Sequence, residues 1–284
     1  MIAGPLLRRS RTKARTLLTS ASVGPSMLRN SLSRRFGAAP PLPPKPLRFM
    51  GEDDATFLKI GDDLVAELRA YAGLQATSRV LDIGSGYGRC AHALLRWPEF
   101  VGQYQGFDIL KRHVEWCRLN LSQLHRPSLH FLHLDVQNDR YNAGGQLRSE
   151  NLIFPVAPES VDVVLLASVF THMYPREVLR YLSEMARVLA PSGRAFASFF
   201  LYGIEGFEGV RTGTAYPMLH TLNAHSKTAR LDDPLFAIGY QWSWLSERIS
   251  ELGLRVSGPP LLGSWAGERP EAGRWQDFLV LERP

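Results

Sequence analysis

The chain has 284 residues, of which 45% are hydrophobic, 21% charged and 10% aromatic, a balance that can bury a core and excludes a wholly disordered, collagenous or disulfide-stapled protein. No stretch approaches the roughly 18 apolar residues of a membrane-spanning helix, and Cys90 and Cys117 form neither a CxxC pair nor a Cys/His cluster, so neither a zinc site nor a disulfide framework is expected. The formal charge of +6 is uneven: residues 1–50 hold ten Lys or Arg and no acid, leaving 23 basic against 27 acidic residues in the remainder, which speaks against a nucleic-acid-binding face on the body.

Residues 1–48 read as a disordered leader rich in Arg, Ser and Pro, since Pro40-Pro41-Leu42-Pro43-Pro44-Lys45-Pro46 cannot form helix or central strand. A solvated basic tail on a cytoplasmic protein is the first reading. The alternative is a transit peptide for the mitochondrial matrix or a plastid, with Arg34-Arg35-Phe36-Gly37 as the processing neighbourhood. The folded domain is expected over 49–284. Asp53 or Asp54 can cap a first helix in which Phe57, Leu58, Ile60, Leu64, Val65 and Leu68 recur at helical spacing.

Strand and helix then alternate. Strands are expected at 79–83, 104–108, 129–135, 161–167 and 194–201, and closing strands at 254–256 and 277–281. Helices are expected at 90–97, 111–124, 175–189 and 243–252, with Pro175 suited to a first helical position and Pro191-Ser192-Gly193 acting as a break. This alternation predicts an α/β fold with a doubly wound parallel sheet, whose ligands sit at the carboxyl ends of the strands. Residues 137–160 and 203–236 have no clear period. The second stretch, with Gly203, Gly206, Gly209 and Gly213 and the basic Arg211, His225, Lys227 and Arg230, reads as a lid-like insertion over a polar or acidic small acceptor. Trp242 and Trp244, two residues apart, cannot both face one side of a helix, so one is expected in the core.

The sharpest signal is Asp82-Ile83-Gly84-Ser85-Gly86-Tyr87-Gly88, which follows a strand and opens a helix. Glycines let a ligand approach the main chain with no Cβ in the way. Asp108 ends the next strand, where a carboxylate can accept from both hydroxyls of a ribose. A dinucleotide fingerprint would place a glycine where this chain has Arg89, and Asp82 would repel a pyrophosphate but suit an ammonium. A nucleoside carrying an amino acid is S-adenosylmethionine, and that is the expected cofactor.

With these residues the sequence resembles the class I S-adenosylmethionine-dependent methyltransferases. Val80 to Gly88 matches their first motif at its defining positions. Arg89, Gly106-Phe107-Asp108-Ile109, Trp116-Cys117-Arg118-Leu119-Asn120-Leu121 and Ser168-Val169-Phe170-Thr171-His172 resemble a bacterial-type subgroup acting on small molecules. The resemblance implies a Rossmann-like, mostly parallel seven-stranded sheet with an antiparallel last strand at 278–281. It also implies that Gly84, Ser85, Gly86 and Gly88 pass under the methionine part of the cofactor, with Asp82 near its ammonium. Asp108 and Ile109 would then meet the ribose, Asp135 and Val136 would border the adenine, and Ser168 would lie near the cofactor.

His172, just beyond the fourth strand, is the candidate general base for methylating a hydroxyl, because histidine titrates in the right range; the alternative is a ring that only braces the next helix. Tyr202, Tyr216, His220, His225 and Tyr240 are further candidates to face an acceptor, each with a loop-surface reading beside it. The expected activity is O-methylation of a small molecule. The alternatives are N-methylation, protein methylation, a non-catalytic nucleoside-binding protein and an NAD(P)-dependent oxidoreductase. A nucleic-acid substrate is not expected, since no Asn/Asp-Pro-Pro-aromatic motif follows the fourth strand.

Overall fold

The computed structural model describes residues 39–45, 48, 53–124, 128–204, 216–266 and 274–284. Most of the expected leader, including 34–37, and the glycine-rich part of the expected insertion lie outside these.

Helix α1 spans Asp54–Tyr71, and Asp53 caps it by accepting from the Thr56 backbone N–H. Strand β1 (Arg79–Ile83) leads to α2 (Arg89–Leu95), β2 (Gln103–Asp108), α3 (Lys111–Asn120) and β3 (Ser128–His133). After the irregular stretch come β4 (Val161–Leu166), α4 (Pro175–Val188) and β5 (Leu189–Phe199). Four short strands follow: β6 (Leu201–Tyr202), β7 (His220–Asn223), β8 (Ser226–Thr228) and β9 (Ile238–Gln241). Helix α5 (Trp242–Glu251), β10 (Arg255–Val256) and β11 (Asp277–Glu282) complete the described order.

The main sheet has the order β10-β11-β5-β4-β1-β2-β3. Strands β1 to β5 pair in parallel, while β11 runs antiparallel to both β5 and β10. The last strand is thus antiparallel as expected, and it is inserted inside the sheet instead of forming its edge. Alternation along the strands sorts side chains onto two faces. Leu81, Ile83, Val164 and Leu166 pack beneath α4 and α5 with Val178, Leu182, Leu245 and Ile249. Val80, Val163 and Leu165 pack against α1, α2 and α3 with Leu68, Leu94 and Val114. Each such side chain contributes about 1.5–3 kcal/mol on burial, so both layers are held by apolar area.

Four sequence expectations change. The helix expected to reach 124 ends at Asn120, with turns beyond it. The third strand stops at His133, which places Asp135 in the following loop. The expected break at Pro191-Ser192-Gly193 is absorbed into β5. Val161 pairs with Leu189 but Val163 pairs with Arg194, so the intervening residues bulge out, Ser192 adopting a positive φ of 64° where Pro191 need not donate to the ladder. Trp242 and Trp244 are both half-buried at the margin of one apolar layer, and neither is a core residue.

Of the expected insertion 203–236, the described part carries β7 and β8, which pair with each other; β8 pairs in turn with β9, and β9 with β6, in a second sheet. The stretch 137–160 has no helix or strand beyond a 3-10 turn at Ser149–Asn151, and side chains tie it down. The Phe154 N–H donates to Glu184 Oε2 at 2.8 Å, Arg187 donates to the Val156 and Phe154 carbonyls at 3.0 Å, and Arg180 Nε to the Leu152 carbonyl at 2.6 Å.

Candidate active site

The turn between β1 and α2 lies at the carboxyl edge of the sheet. Gly84, Gly86 and Gly88 have φ values of 76°, 53° and 74°, a region in which a side chain is strained. At Gly84 an added Cβ would sit 2.3 Å from Val169 Cγ2, so this glycine is needed for packing against the end of β4. At Gly86 a Cβ would meet nothing within 4 Å, which leaves that peptide open to a ligand.

Asp108, at the end of β2, holds this turn. Its Oδ2 accepts from the Gly86 N–H at 2.8 Å and its Oδ1 from the Leu110 N–H at 2.7 Å. Burial pushes this carboxyl above the usual range, opposed by those two amide donors. A carboxylate has about four acceptor positions, so two remain for hydroxyls of a ligand. Asp82 is buried beneath the same turn. Its Oδ2 accepts from Tyr104 Oη at 2.6 Å, and no described residue donates to Oδ1. Burial raises its pKa to about 6, with the Tyr104 hydrogen bond and the Arg89 charge acting the other way. Ser85 is buried, and its hydroxyl oxygen is without a hydrogen-bond partner among the described residues.

Ile109 is half-buried against the core, and its carbonyl oxygen lies 3.2 Å from His133 Nε2. Asp135 Oδ1 accepts from Asn142 Nδ2 at 2.9 Å, while the Val136 side chain is fully buried among core residues. At the end of β4, Ser168 has a φ of 60°. Its N–H donates to Ser198 Oγ at 2.7 Å and its hydroxyl donates to Gln276 Oε1 at 3.0 Å.

His172 closes a short 3-10 turn over Phe170–His172. Its Nδ1 lies 2.8 Å from the Leu235 carbonyl oxygen. A carbonyl only accepts, so Nδ1 carries the proton and Nε2 keeps the lone pair of the neutral ring. Burial lowers its pKa, partly offset by the Leu235 carbonyl. The turn is braced by Asn138 Nδ2, which donates to the His172 carbonyl at 3.1 Å, and by the Tyr240 hydroxyl, which reaches the Phe170 and Met173 carbonyls. Tyr240 is therefore a core residue. His225 stacks on Trp244 at 5.3 Å, an exposed position away from His172.

A cavity of about 740 Å³ opens beside the end of β4 and the start of α2. Arg89, Ser168 and His172 line it together with Asp63, Glu67 and Tyr71 of α1 and the later residues Phe200, Tyr216, Phe236, Arg274, Trp275 and Gln276. Of the expected cofactor and base residues only Ser168 and His172 line it; Asp82, the Gly84–Gly88 turn, Asp108, Ile109, Asp135 and Val136 do not, so the structure brings the β4 end and the start of α2 to the cavity but not the whole expected set. Sequence reasoning missed Tyr104, Ser198, Gln276 and the Leu235 carbonyl. Only pairing across the sheet or over long sequence distances brings them in, and no local pattern marks them. No group of three or more His, Cys, Asp or Glu able to hold a metal occurs among the described residues, and no helix among them is long and apolar enough to cross a membrane.

The glycine turn, the open Gly86 peptide and the acids on either side of it suit the cofactor expected from the sequence. Residues 81–197 match the family model described as a methyltransferase domain. Among solved structures, a Leishmania major S-adenosylmethionine-dependent methyltransferase is similar at 15% identity and a TM-score of 0.50, covering 81% of this chain and 74% of that one. A Pyrococcus horikoshii protein is similar at 15% identity and a TM-score of 0.51, covering 82% and 92%. So is the 4+2 cyclase SpnF, at 15% identity and a TM-score of 0.51, covering 78% and 81%. At such identities the structures show a shared fold, and one fold can serve different reactions. Residues 81–197 thus match a methyltransferase domain, carried here on a seven-stranded sheet whose last strand is antiparallel and inserted between its neighbours.

Proposed function

We propose that the protein methylates a hydroxyl oxygen of a small-molecule acceptor, with His172 as the general base. The observation that carries this reading is the Nδ1 contact to the Leu235 carbonyl, which leaves Nε2 as an acceptor on a ring that lines the cavity. A volume of about 740 Å³ is in the range of small-molecule sites.

S-adenosylmethionine, when bound, supplies an electrophilic methyl on a positively charged sulfur. Asp108 positions the Gly86 peptide and offers its remaining lone pairs to the ribose, while Asp82 favours the ammonium. Ser168, held by Ser198 and Gln276, fixes the backbone at the end of β4. The acceptor hydroxyl would donate to His172 Nε2, which would take its proton, and the methyl–sulfur bond broken as the cofactor supplies its methyl to that oxygen would leave S-adenosylhomocysteine as the neutral leaving group. The resulting imidazolium is stabilised by its Nδ1–H donating to the Leu235 carbonyl. Because burial holds the ring's pKa down, the neutral, basic form prevails at neutral pH.

The test is incubation with methyl-labelled S-adenosylmethionine and a fractionated metabolite extract, followed by identification of the methylated atom. Label on oxygen supports the reading, and label on nitrogen alone overturns it. His172→Ala should lower kcat about 100-fold or more while leaving S-adenosylhomocysteine affinity within about twofold. Unchanged turnover would reject the base.

A further inference from the structure

We infer that the acceptor is a planar aromatic hydroxyl compound, a phenol taken up in a ring-lined, cation-biased chamber. The inference rests on the methyl-transfer reading for the reaction, and on the cavity wall for the shape and charge of the guest.

Phe200, Tyr216, Phe236 and Trp275 line the same cavity as His172. Tyr216 lies at the centre of the group. Its ring centroid is 5.5 Å from Phe200, 5.1 Å from Phe236 and 5.7 Å from Trp275, all at tilted or edge-on angles. The four rings come from separate segments, so the cluster is not one face of a helix. Its base is fixed: buried Phe200 packs at 4.9 Å on Trp265, whose Nε1 donates to Asp277 at 2.8 Å. Its rim is open, with Trp275 39% exposed. Such walls favour a flat guest, which can meet rings face-on or edge-on, over an aliphatic guest of equal size.

The charges select further. Aromatic faces attract cations, but those of Phe236 and Tyr71 already have them. The Arg230 and Arg140 guanidinium carbons lie 3.9 and 5.1 Å from the Phe236 centroid, and that of Arg274 lies 5.1 Å from Tyr71. The two acids in the lining are paired, Asp63 with Lys59 at 2.6 Å and Glu67 with Arg274 at 2.5 Å. Arg89 has no ion-pair partner at salt-bridge distance among the described residues; the nearby charge acting on it is that of buried Asp82. An ammonium acceptor would meet like charge here. A hydroxyl that becomes anionic as His172 takes its proton would meet opposite charge.

The probe is 4-nitrophenol, whose phenolate absorbs where the neutral form does not. It is titrated into the full chain saturated with S-adenosylhomocysteine at pH 6.5. Binding should raise the phenolate absorbance, and an equal concentration of cyclohexanol should not displace it. Phe236→Leu combined with Trp275→Leu should weaken binding about tenfold, the loss expected from removing two ring contacts, and a thermal melt checks that this variant is folded. Arg89→Gln should abolish most of the absorbance rise. Equal affinity in the folded double variant, or displacement by cyclohexanol, would overturn the inference. These readouts need no turnover. If the methyl-transfer reading alone fails, the labelled extract gains no methyl group while the nitrophenol signal persists.

Discussion

Replacing Asp108 by alanine separates two roles that meet at one carboxylate. In the structure this group accepts from two backbone amides, Gly86 at 2.8 Å and Leu110 at 2.7 Å. Asp108→Ala leaves both amides without their acceptor, about 1–3 kcal/mol each where buried. Part of that is returned, because burial opposes the ionised carboxylate. A net loss of about 2 kcal/mol is expected, or a fall in Tm of about 4–8 °C for a domain of this size. If Asp108 holds the ribose as proposed, the same substitution also removes charge-assisted hydrogen bonds to it, worth about 1.5–3 kcal/mol, or roughly 10–100-fold in affinity. Asp108→Asn, which keeps one carbonyl acceptor, should fall between. Calorimetry with S-adenosylhomocysteine and a thermal melt are run on each variant. A lowered Tm with unchanged affinity would reduce Asp108 to a fastener of the glycine turn. No change in either would refute the reasoning altogether.

The two central glycines should respond differently to alanine. Gly84→Ala combines a φ of 76° with a Cβ 2.3 Å from Val169 Cγ2, so about 2–4 kcal/mol of stability should be lost in urea unfolding. Gly86→Ala meets no neighbour and should instead show its larger effect on S-adenosylhomocysteine affinity. The raised pKa of Asp82, about 6 in the fold against 3.8, fixes a sign for pH. The stability this group contributes is fully present below about pH 4 and is lost as pH rises through about 6, so Asp82→Asn should flatten Tm against pH in that window. The proposed contact of Asp82 with the cofactor's ammonium would require the ionised form, so S-adenosylhomocysteine affinity in the native protein should be weaker at pH 5 than at pH 7.5; identical affinities would remove Asp82 from the ammonium site. Glu184→Ala strands Arg180, Arg187 and the Phe154 amide. About 3 kcal/mol should be lost, near the low end for a buried pair because both arginines are partly exposed; a change within about 0.5 kcal/mol would show that 137–160 is held by its apolar contacts.

The repeating strand–helix period was readable because β1 and β4 are short, mostly aliphatic runs, and because glycine, proline or a helix start marks where strands give way to helices. The glycine turn with Asp82 and Asp108 was readable because its geometry is local. The second sheet was not. Its strands are two to four residues long, too short for an alternation to register, and their pairing joins residues far apart in the chain. Tyr104 reached Asp82 only through the β1–β2 register. The Ser168–Gln276 contact spans 108 positions, and Tyr216, a candidate from its place in the chain alone, meets Phe200, Phe236 and Trp275 only through long-range packing.

The insertion of β11 between β5 and β10 has a temporal consequence. Asp277 receives the Leu201 and Gly263 amides and the Trp265 indole, each at 2.8 Å, and Gln276 beside it receives Ser168. A ribosome delivers the glycine turn nearly two hundred residues before these partners. The glycine turn can thus take shape on a growing polypeptide, while the cavity wall that Gln276 completes must wait for the final strand to thread between its neighbours.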